Sequence, residues 1–524
     1  MALTAEDAVI LLQQAKIWYR DGAHAQAEEA CTEALAIDQA NPDALSLLAM
    51  LLHQRGDTAT AITLLRRACR ISPAGRLYSN LGVVLSSNRD YVGGITAYRQ
   101  AIRLDPMNVT SWTNLLFALD HHPEATPALR IADRRAFNAM HCAALTAAAP
   151  PHTNDRDPDR KLRIGYVSGD FFNHSASIAW GPVLFGHDHE RFEAWCYDNT
   201  AAPRDQETLR FEAVADQWVP IQDRSDEDVA RQIRADQIDI LVDLSGFSTG
   251  GRLLIFARKP APIQITGWGH ATGTGLDCMD YLISDAVTIP PEHEHLYHER
   301  IIRLPSAMGF DVRPPYPEVA PPPMERNGYP TFGYIGRAYK LNERTLSTWA
   351  EILRRMPTAK LILKSAEYNN QDLREWVLAV LASLGVTPDR VSIRGSTTRL
   401  IHLATYNEID VHLDPYPHGG GVTTLEACLM GVPTVTLLGD YVSGRLSASV
   451  LDTVYPSGGT TATTVTDYLL LASSALCGAS LYERQRLRDA ILSSVMASPE
   501  RYAACVENAF RDAWKEWVID AATP

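Results

Sequence analysis

Hydrophobic and polar positions follow two different rhythms along this chain, one up to Leu116 and another from Leu162 onward. In the first stretch small residues return at a fixed interval. Gly22, Gly56 and Arg89 are 34 and 33 positions apart, Ala34, Ala68 and Ala101 keep the same step, and Ala27 and Ala61 are followed in register by Gly94. A unit of that length fits two antiparallel helices, whose close approach needs small side chains where they cross. Each unit ends near a proline (Pro42, Pro73, Pro106), expected to terminate the second helix. Trp112-Thr-Asn-Leu-Leu116 opens a partial fourth unit.

A polar segment from Ala149 to Asp159 then marks a boundary. Its Asp155-Arg-Asp157 has the spacing of a metal-binding acid pair, but no strand holds it, so it reads as solvated linker. From Leu162 short apolar runs separated by helical lengths predict strands over 162–168, 193–197, 238–244, 263–266 and 281–284. The proline-rich 313–323 breaks the series, which resumes over 329–335, 360–363, 391–393, 411–413 and 434–437. Such alternation implies mostly parallel sheets with helices on both faces. The expected organisation is a helical repeat domain over 1–150, a first doubly wound α/β domain over 160–312, a second over 328–498, and a terminal helix and tail over 499–524.

Ligands of such sheets bind beyond the carboxyl ends of the strands, and two facing sheets make a cleft. The most informative strand end is His418-Gly-Gly420-Gly421-Val-Thr423-Thr424-Leu-Glu426, which reads as a glycine loop opening a helix. The glycines permit close approach, the helix start offers free N–H groups and a positive dipole, and Thr423 and Thr424 add hydroxyl donors. Glu426 follows Thr423 by about one turn, so its carboxylate can reach paired hydroxyls such as those of a ribose. A nucleotide fits this combination, although neither GxxxxGK[ST] nor GxGxxG occurs. Other strand ends carry His174, Gly269 and His270 in one domain and Arg337, Lys340, Arg399 and His402 in the other. Lys340 is the leading candidate, since an ammonium beside a diphosphate offsets the charge of a departing nucleoside diphosphate. The segment Glu292-His-Glu-His295-Leu-Tyr-His298 suggests a metal, but its proline-flanked surface setting argues against one, and no metal is expected.

Composition narrows the class. With 46% hydrophobic and 21% charged residues the 524-residue chain is an ordinary globular protein of several domains. A net charge of -14 argues against a nucleic-acid or membrane-surface binder. Eight scattered cysteines without CxxC spacing read as reduced thiols, and neither a basic leader nor an 18-residue apolar run is seen, so a cytoplasmic location is expected.

The 34-residue units resemble the tetratricopeptide repeat, whose curved surface either binds peptides or serves dimerisation and packing; a homodimer stays open. Beyond them, Leu162-Arg-Ile-Gly-Tyr-Val-Ser-Gly-Asp-Phe-Phe-Asn-His174, Ala261-Pro-Ile-Gln264, Met279-Asp-Tyr281, Tyr339-Lys340 and the stretch from Leu413 to Leu437 closely resemble the O-linked N-acetylglucosamine transferase family. That resemblance implies a GT-B fold of two facing Rossmann-like domains, with the terminal helix crossing back to the first. It also implies inverting, metal-independent transfer of N-acetylglucosamine from UDP-GlcNAc to Ser or Thr of proteins, with no cofactor besides the donor substrate. By the same resemblance His174 looks like the active-site histidine, Lys340 like the diphosphate-binding lysine, and Arg337 falls where the family has a glutamine. Arg399 and His402 match residues around the uracil, Gly269 and His270 the loop at the donor sugar, and Thr423 and Glu426 the phosphate and ribose contacts. Animal members have a histidine at the position of Gly421, an aspartate at that of Glu426, and a long insertion between the sheet domains that is missing here. The glycine loop also looks like that of plant-type protein O-fucosyltransferases, whose donor is GDP-fucose. A non-catalytic repeat scaffold is a further alternative, as is a sugar-nucleotide epimerase of GT-B architecture, in which the repeats would have no obvious role.

Overall fold

A computed structural model describes residues 4–455 and 459–520. The chain divides into two compact units, Met1–Ala125 and Thr126–Pro524.

The first unit is built of helix pairs, Ala5–Arg20 with His24–Ile37, Pro42–Arg55 with Thr58–Ile71, and Gly75–Ser87 with Tyr91–Leu104, followed by Val109–His121. The repeating small residues do what their spacing requires: Ala27, Ala34, Ala61, Ala68 and Ala101 are at most 1% exposed. The turn inside each pair passes through the left-handed region at Gly22, Gly56 and Arg89 (φ +77°, +99° and +65°). Only the third unit places a side chain there, at a cost of roughly 1–2 kcal/mol. The prolines lie beyond the helix ends and do not break them; Pro42 opens the next helix.

The second unit holds two parallel sheets. The first contains β1 (Leu162–Ser168), β2 (Phe192–Asp198), β3 (Gln217–Pro220), β4 (Ile240–Asp243), β5 (Ile263–Thr266), β6 (Tyr281–Ser284) and β7 (Arg300–Arg303), in the order β3-β2-β1-β4-β5-β6-β7. The second contains β8 (Thr331–Ile335), β9 (Lys360–Lys364), β10 (Val391–Arg394), β11 (Val411–Leu413), β12 (Thr434–Leu437) and β13 (Thr461–Ala462), in the order β10-β9-β8-β11-β12-β13. Both orders reverse after the first strand of the lobe, so the crevice opens between β1 and β4 and again between β8 and β11. β3, β7 and β13, which the apolar pattern does not announce, are short edge strands; β3 and β7 are largely solvent-facing.

Helices over Pro127–Phe137 and Ala143–Ala147, inside the stretch expected to join the repeats, belong to the second unit. Arg134 Nε donates to the Gly273 carbonyl (2.9 Å), Asn138 Nδ2 to Asp277 (2.7 Å), and Thr146 Oγ1 to the Ala257 carbonyl (2.9 Å). The terminal helix Pro499–Asp520 does cross back. Its Tyr502, Val506, Phe510 and Trp514 are fully buried in the core that Leu162, Ile164, Ile178 and Phe192 begin. The same core takes in Leu425, Leu429 and Leu451 from the second lobe, so the lobes share packing on one side of the crevice. No helix among the described residues is long and apolar enough to cross a membrane.

Candidate active site

The second lobe presents its candidates at the ends of β8, β10 and β11. β8 runs into a tight turn over Ala338–Lys340, ahead of the helix Glu343–Arg355 that Asn342 caps. Lys340 is therefore not a surface cation on that helix. Its Nζ reaches across to donate to the Gly419 carbonyl at 2.6 Å. Burial pulls its pKa down to about 8, against the opposing pull of the Asp414 carboxylate. At neutral pH it keeps its charge in a poorly solvated place, where a charge acts most strongly on an anion. Arg337, three residues earlier, is half exposed and pairs with Glu367 (3.0 Å). Glu367 also accepts the Ala338 amide (3.0 Å), which fixes the turn that aims Lys340.

The glycine loop follows β11 and opens the helix Val422–Leu429. A Cβ at Gly420 would lie 2.6 Å from Thr423 Oγ1 and 2.9 Å from Asp414 Oδ1, so no side chain fits without moving the loop. The Gly420 amide is turned inward onto Asp414 Oδ1 (2.7 Å), whereas the amides of Val422 and Thr423 have no acceptor among the described residues. These two N–H groups stand open at the helix start, where the sequence pattern anticipates an anion. Thr424 differs from expectation: its hydroxyl is buried and pairs with Ser447 (2.7 Å). Adjacent helical residues point about 100° apart, so Thr423 and Thr424 cannot both face the crevice.

Glu426 sits one turn on, 4% exposed, with Oε1 accepting Arg399 Nη1 at 2.8 Å and Oε2 3.4 Å from His402 Nε2. Burial works to raise its pKa, but His402 and Arg399 outweigh burial and hold the group ionised. Tyr406 Oη donates to the Thr423 carbonyl (3.1 Å), tying the helix that carries Arg399 and His402 to the glycine-loop helix. Arg337, Lys340, Arg399, His402, Gly420, Gly421, Thr423 and Glu426 thus form one continuous wall.

The first lobe supplies the opposite wall. His174 caps the helix Ser175–Phe185, accepting the Ala176 amide on Nδ1 (3.4 Å), and lies 3.4 Å from Asp170. Burial lowers its pKa, Asp170 works to raise it, and the charge of Arg337 from the other lobe adds to the lowering. Met308 comes closest to Gly421 from the same side. The loop after β5 holds Trp268 at φ +57°, pinned by its Nε1 donating to Tyr502 (2.8 Å). Gly269 must be glycine, since a Cβ would fall 1.8 Å from the Leu244 carbonyl oxygen. His270 then accepts the Phe247 amide on Nδ1 at 3.4 Å, which leaves the ring proton on Nε2. Asp243, fully buried at the end of β4, gathers the amides of Ser245 and Gly246 and the Thr266 hydroxyl, and shapes this loop from beneath.

Of four carboxylates that organise the site, Asp170 and Asp243 stand in strand-end segments that the sequence already marks, while Glu367 and Asp414 escape sequence reading. Asp414 directly follows β11, and that place at a strand end is the signal that could have found it. Among the described residues no group of three or more His, Cys, Asp or Glu side chains is arranged to hold a metal; the 292–298 segment forms a surface turn, with His298 3.7 Å from Asp277.

Comparison with known proteins places this geometry. The model of glycosyl transferase family 41 matches residues 99–311 and 330–502, and a tetratricopeptide-repeat model matches 19–81. The O-GlcNAc transferase of Thermobaculum terrenum, solved as a mutant, superposes with a TM-score of 0.89 at 33% identity, over 100% of both chains. The probable UDP-N-acetylglucosamine–peptide N-acetylglucosaminyltransferase SPINDLY of rice (Oryza sativa subsp. japonica) is 31% identical over 438 residues, 81% of this chain and 46% of its own. The probable enzyme SEC of Arabidopsis thaliana is 29% identical over 331 residues, 60% of this chain and 34% of its own. The chain spans about half the length of the curated relatives it matches. With two doubly wound lobes, tetratricopeptide repeats and a family match across most of its length, the chain belongs to glycosyl transferase family 41.

Proposed function

We propose that the chain transfers N-acetylglucosamine from UDP-N-acetylglucosamine to serine or threonine hydroxyls of proteins, with inversion and without a cofactor. The observation that carries this reading is the placement of the Lys340 ammonium against the glycine loop, beside the open amides of Val422 and Thr423. Together they offer a diphosphate one full charge and a helix start, the groups needed where negative charge grows as the nucleotide leaves. Glu426, Arg399 and His402 line the continuation of that wall, where a nucleoside joined to the diphosphate would lie.

The acceptor hydroxyl attacks the anomeric carbon from the face opposite the departing UDP. His174, kept neutral at pH 7 by burial and accepting the Ala176 amide on Nδ1, presents its Nε2–H as a hydrogen-bond donor that can orient the acceptor hydroxyl or the donor sugar. The repeats supply a surface for the acceptor polypeptide. The names of the relatives support N-acetylglucosamine over fucose as the sugar.

The test is calorimetric titration with UDP, UDP-GlcNAc and GDP-fucose on wild type and Lys340→Ala, paired with transfer of labelled sugar to protein. UDP and UDP-GlcNAc should bind the wild type, and transfer should fall on the order of 100-fold or more in the variant. Preference for GDP-fucose would replace the sugar assignment, and no nucleotide binding would remove the enzyme reading.

A further inference from the structure

Asp414 has no role in the reading above, yet it is the group around which the nucleotide wall is folded. It is completely buried at the carboxyl end of β11, on the central crossover of the second sheet. Its Oδ1 accepts the Gly420 amide at 2.7 Å, its Oδ2 accepts the Thr436 hydroxyl at 2.7 Å, and the Ser447 hydroxyl also donates to it. Its main-chain carbonyl takes the Tyr468 hydroxyl (2.9 Å), so the residue is held from four elements at once. The loop is moulded on this carboxylate: a Cβ at Gly419 would lie 2.7 Å from Oδ2 and one at Gly420 would lie 2.9 Å from Oδ1. The neighbouring carbonyl, that of Gly419, is the acceptor of Lys340.

We infer that Asp414 is a positioning residue for the donor diphosphate, seating through the Gly420 amide the glycine loop whose Gly419 carbonyl holds Lys340. The inference rests on the transferase reading. Two linked effects follow. Losing the carboxylate frees the Gly420 amide and lets the loop drift from Lys340. It also removes the first group opposing the burial that lowers the Lys340 pKa to about 8. The charged groups that face Lys340 are Asp414 and Glu367, which favour the ammonium, and Arg337, which opposes it. Those that sense Asp414 are Lys340 and the phenols of Tyr334 and Tyr468. With Asp414 neutralised, Glu367 alone balances Arg337, and Lys340 loses its proton at lower pH.

The experiment is calorimetry with UDP from pH 6 to 9 on the full chain, wild type against Asp414→Asn, with the fold checked by thermal melting. Wild type should bind UDP and lose affinity as pH rises through about 8. In Asp414→Asn that decline should start at least one pH unit lower, giving a loss of roughly threefold or more at pH 7.5 that approaches tenfold at pH 9, and a smaller one at pH 6. Lys340→Met should remove the pH dependence in both backgrounds, and the double variant should fall below Lys340→Met only by the small, pH-independent factor that Asp414→Asn shows at pH 6. An equal loss at pH 6 and 7.5 would reduce Asp414 to a structural prop, and an unchanged profile would overturn the inference. If Asp414→Asn does not fold, Thr436→Val, which deletes one donor to the carboxylate, must shift the same decline the same way by a smaller amount; no shift again overturns it. A wild type that binds no UDP sinks the transferase reading, an outcome distinct from any of these.

Discussion

Neutralising Glu426 tests the nucleoside side of the site. The carboxylate is 4% exposed and already holds Arg399 at 2.8 Å and His402 at 3.4 Å, one on each oxygen. Each oxygen keeps a second lone pair, so a ribose hydroxyl can be accepted without dismantling the existing pairs. Glu426→Gln keeps the shape, removes the charge and turns one acceptor into a donor that faces a cation. A hydrogen bond from a hydroxyl to a charged acceptor is worth about 1.5–3 kcal/mol, or roughly 10- to 150-fold in UDP affinity. Stability should suffer less, about 1 kcal/mol, because the Arg399 side chain is 30% exposed and water screens what remains. Calorimetry with UDP and 2′-deoxy-UDP on wild type and variant closes a double-mutant cycle. Deleting the 2′-hydroxyl should weaken binding to wild type by about the factor the mutation costs, and do little more to the variant. If deoxy-UDP loses the same factor with both proteins, Glu426 does not touch the ribose and serves only to hold Arg399 and His402.

Gly269→Ala places a methyl 1.8 Å from a main-chain oxygen that cannot rotate away, so the Trp268–His270 turn must move; transfer should drop at least tenfold while UDP binding changes little, measured on the same sample. His412 is buried in β11 between Tyr334 and Tyr406, and burial lowers its pKa to about 4 from 6.5. The folded chain prefers the neutral ring, so this stability is complete above pH 6.5 and is lost as pH falls toward 4; by pH 5 the loss is about 2 kcal/mol, and denaturant titration of His412→Gln should show a correspondingly shallower acid decline. Phe510→Ala, in the terminal helix, should destabilise the second unit by about 3–5 kcal/mol in thermal melts and leave the melting of residues 1–125 unchanged.

What could be read without coordinates was whatever depends on neighbours in the chain. The helix pairs announce themselves because a crossing point admits only small residues, and ten strands because a buried parallel strand is an uninterrupted apolar run. β3 and β7 escape because an edge strand needs no such run: Arg300 and Arg303 flank only Ile301 and Ile302. Lys340, Thr423 and Glu426 stood out by their place at strand and helix ends. Asp414 did not, because its meaning lies in Gly420, Thr436, Ser447 and Tyr468, four contacts from four separate segments. The inward turn of Thr424 was hidden for the same reason, since Ser447 lies 23 positions away. Helices 127–147 continue the helical rhythm of the repeats, and only their partners in 257–277 show where they belong.

The closing of the first core by the last helix sets a schedule for synthesis. Glu507 meets His187 across 320 positions, and at 5–20 residues per second that interval is roughly 16–64 s on the ribosome. The repeats, whose partners are adjacent units, fold as they emerge. The first lobe waits with Phe192 and Leu162 uncovered and the Trp268 turn unpinned until Tyr502, Phe510 and Trp514 arrive. The nascent chain is therefore most exposed to aggregation during translation of its second lobe, and chaperone occupancy should peak there and end when the terminal helix docks.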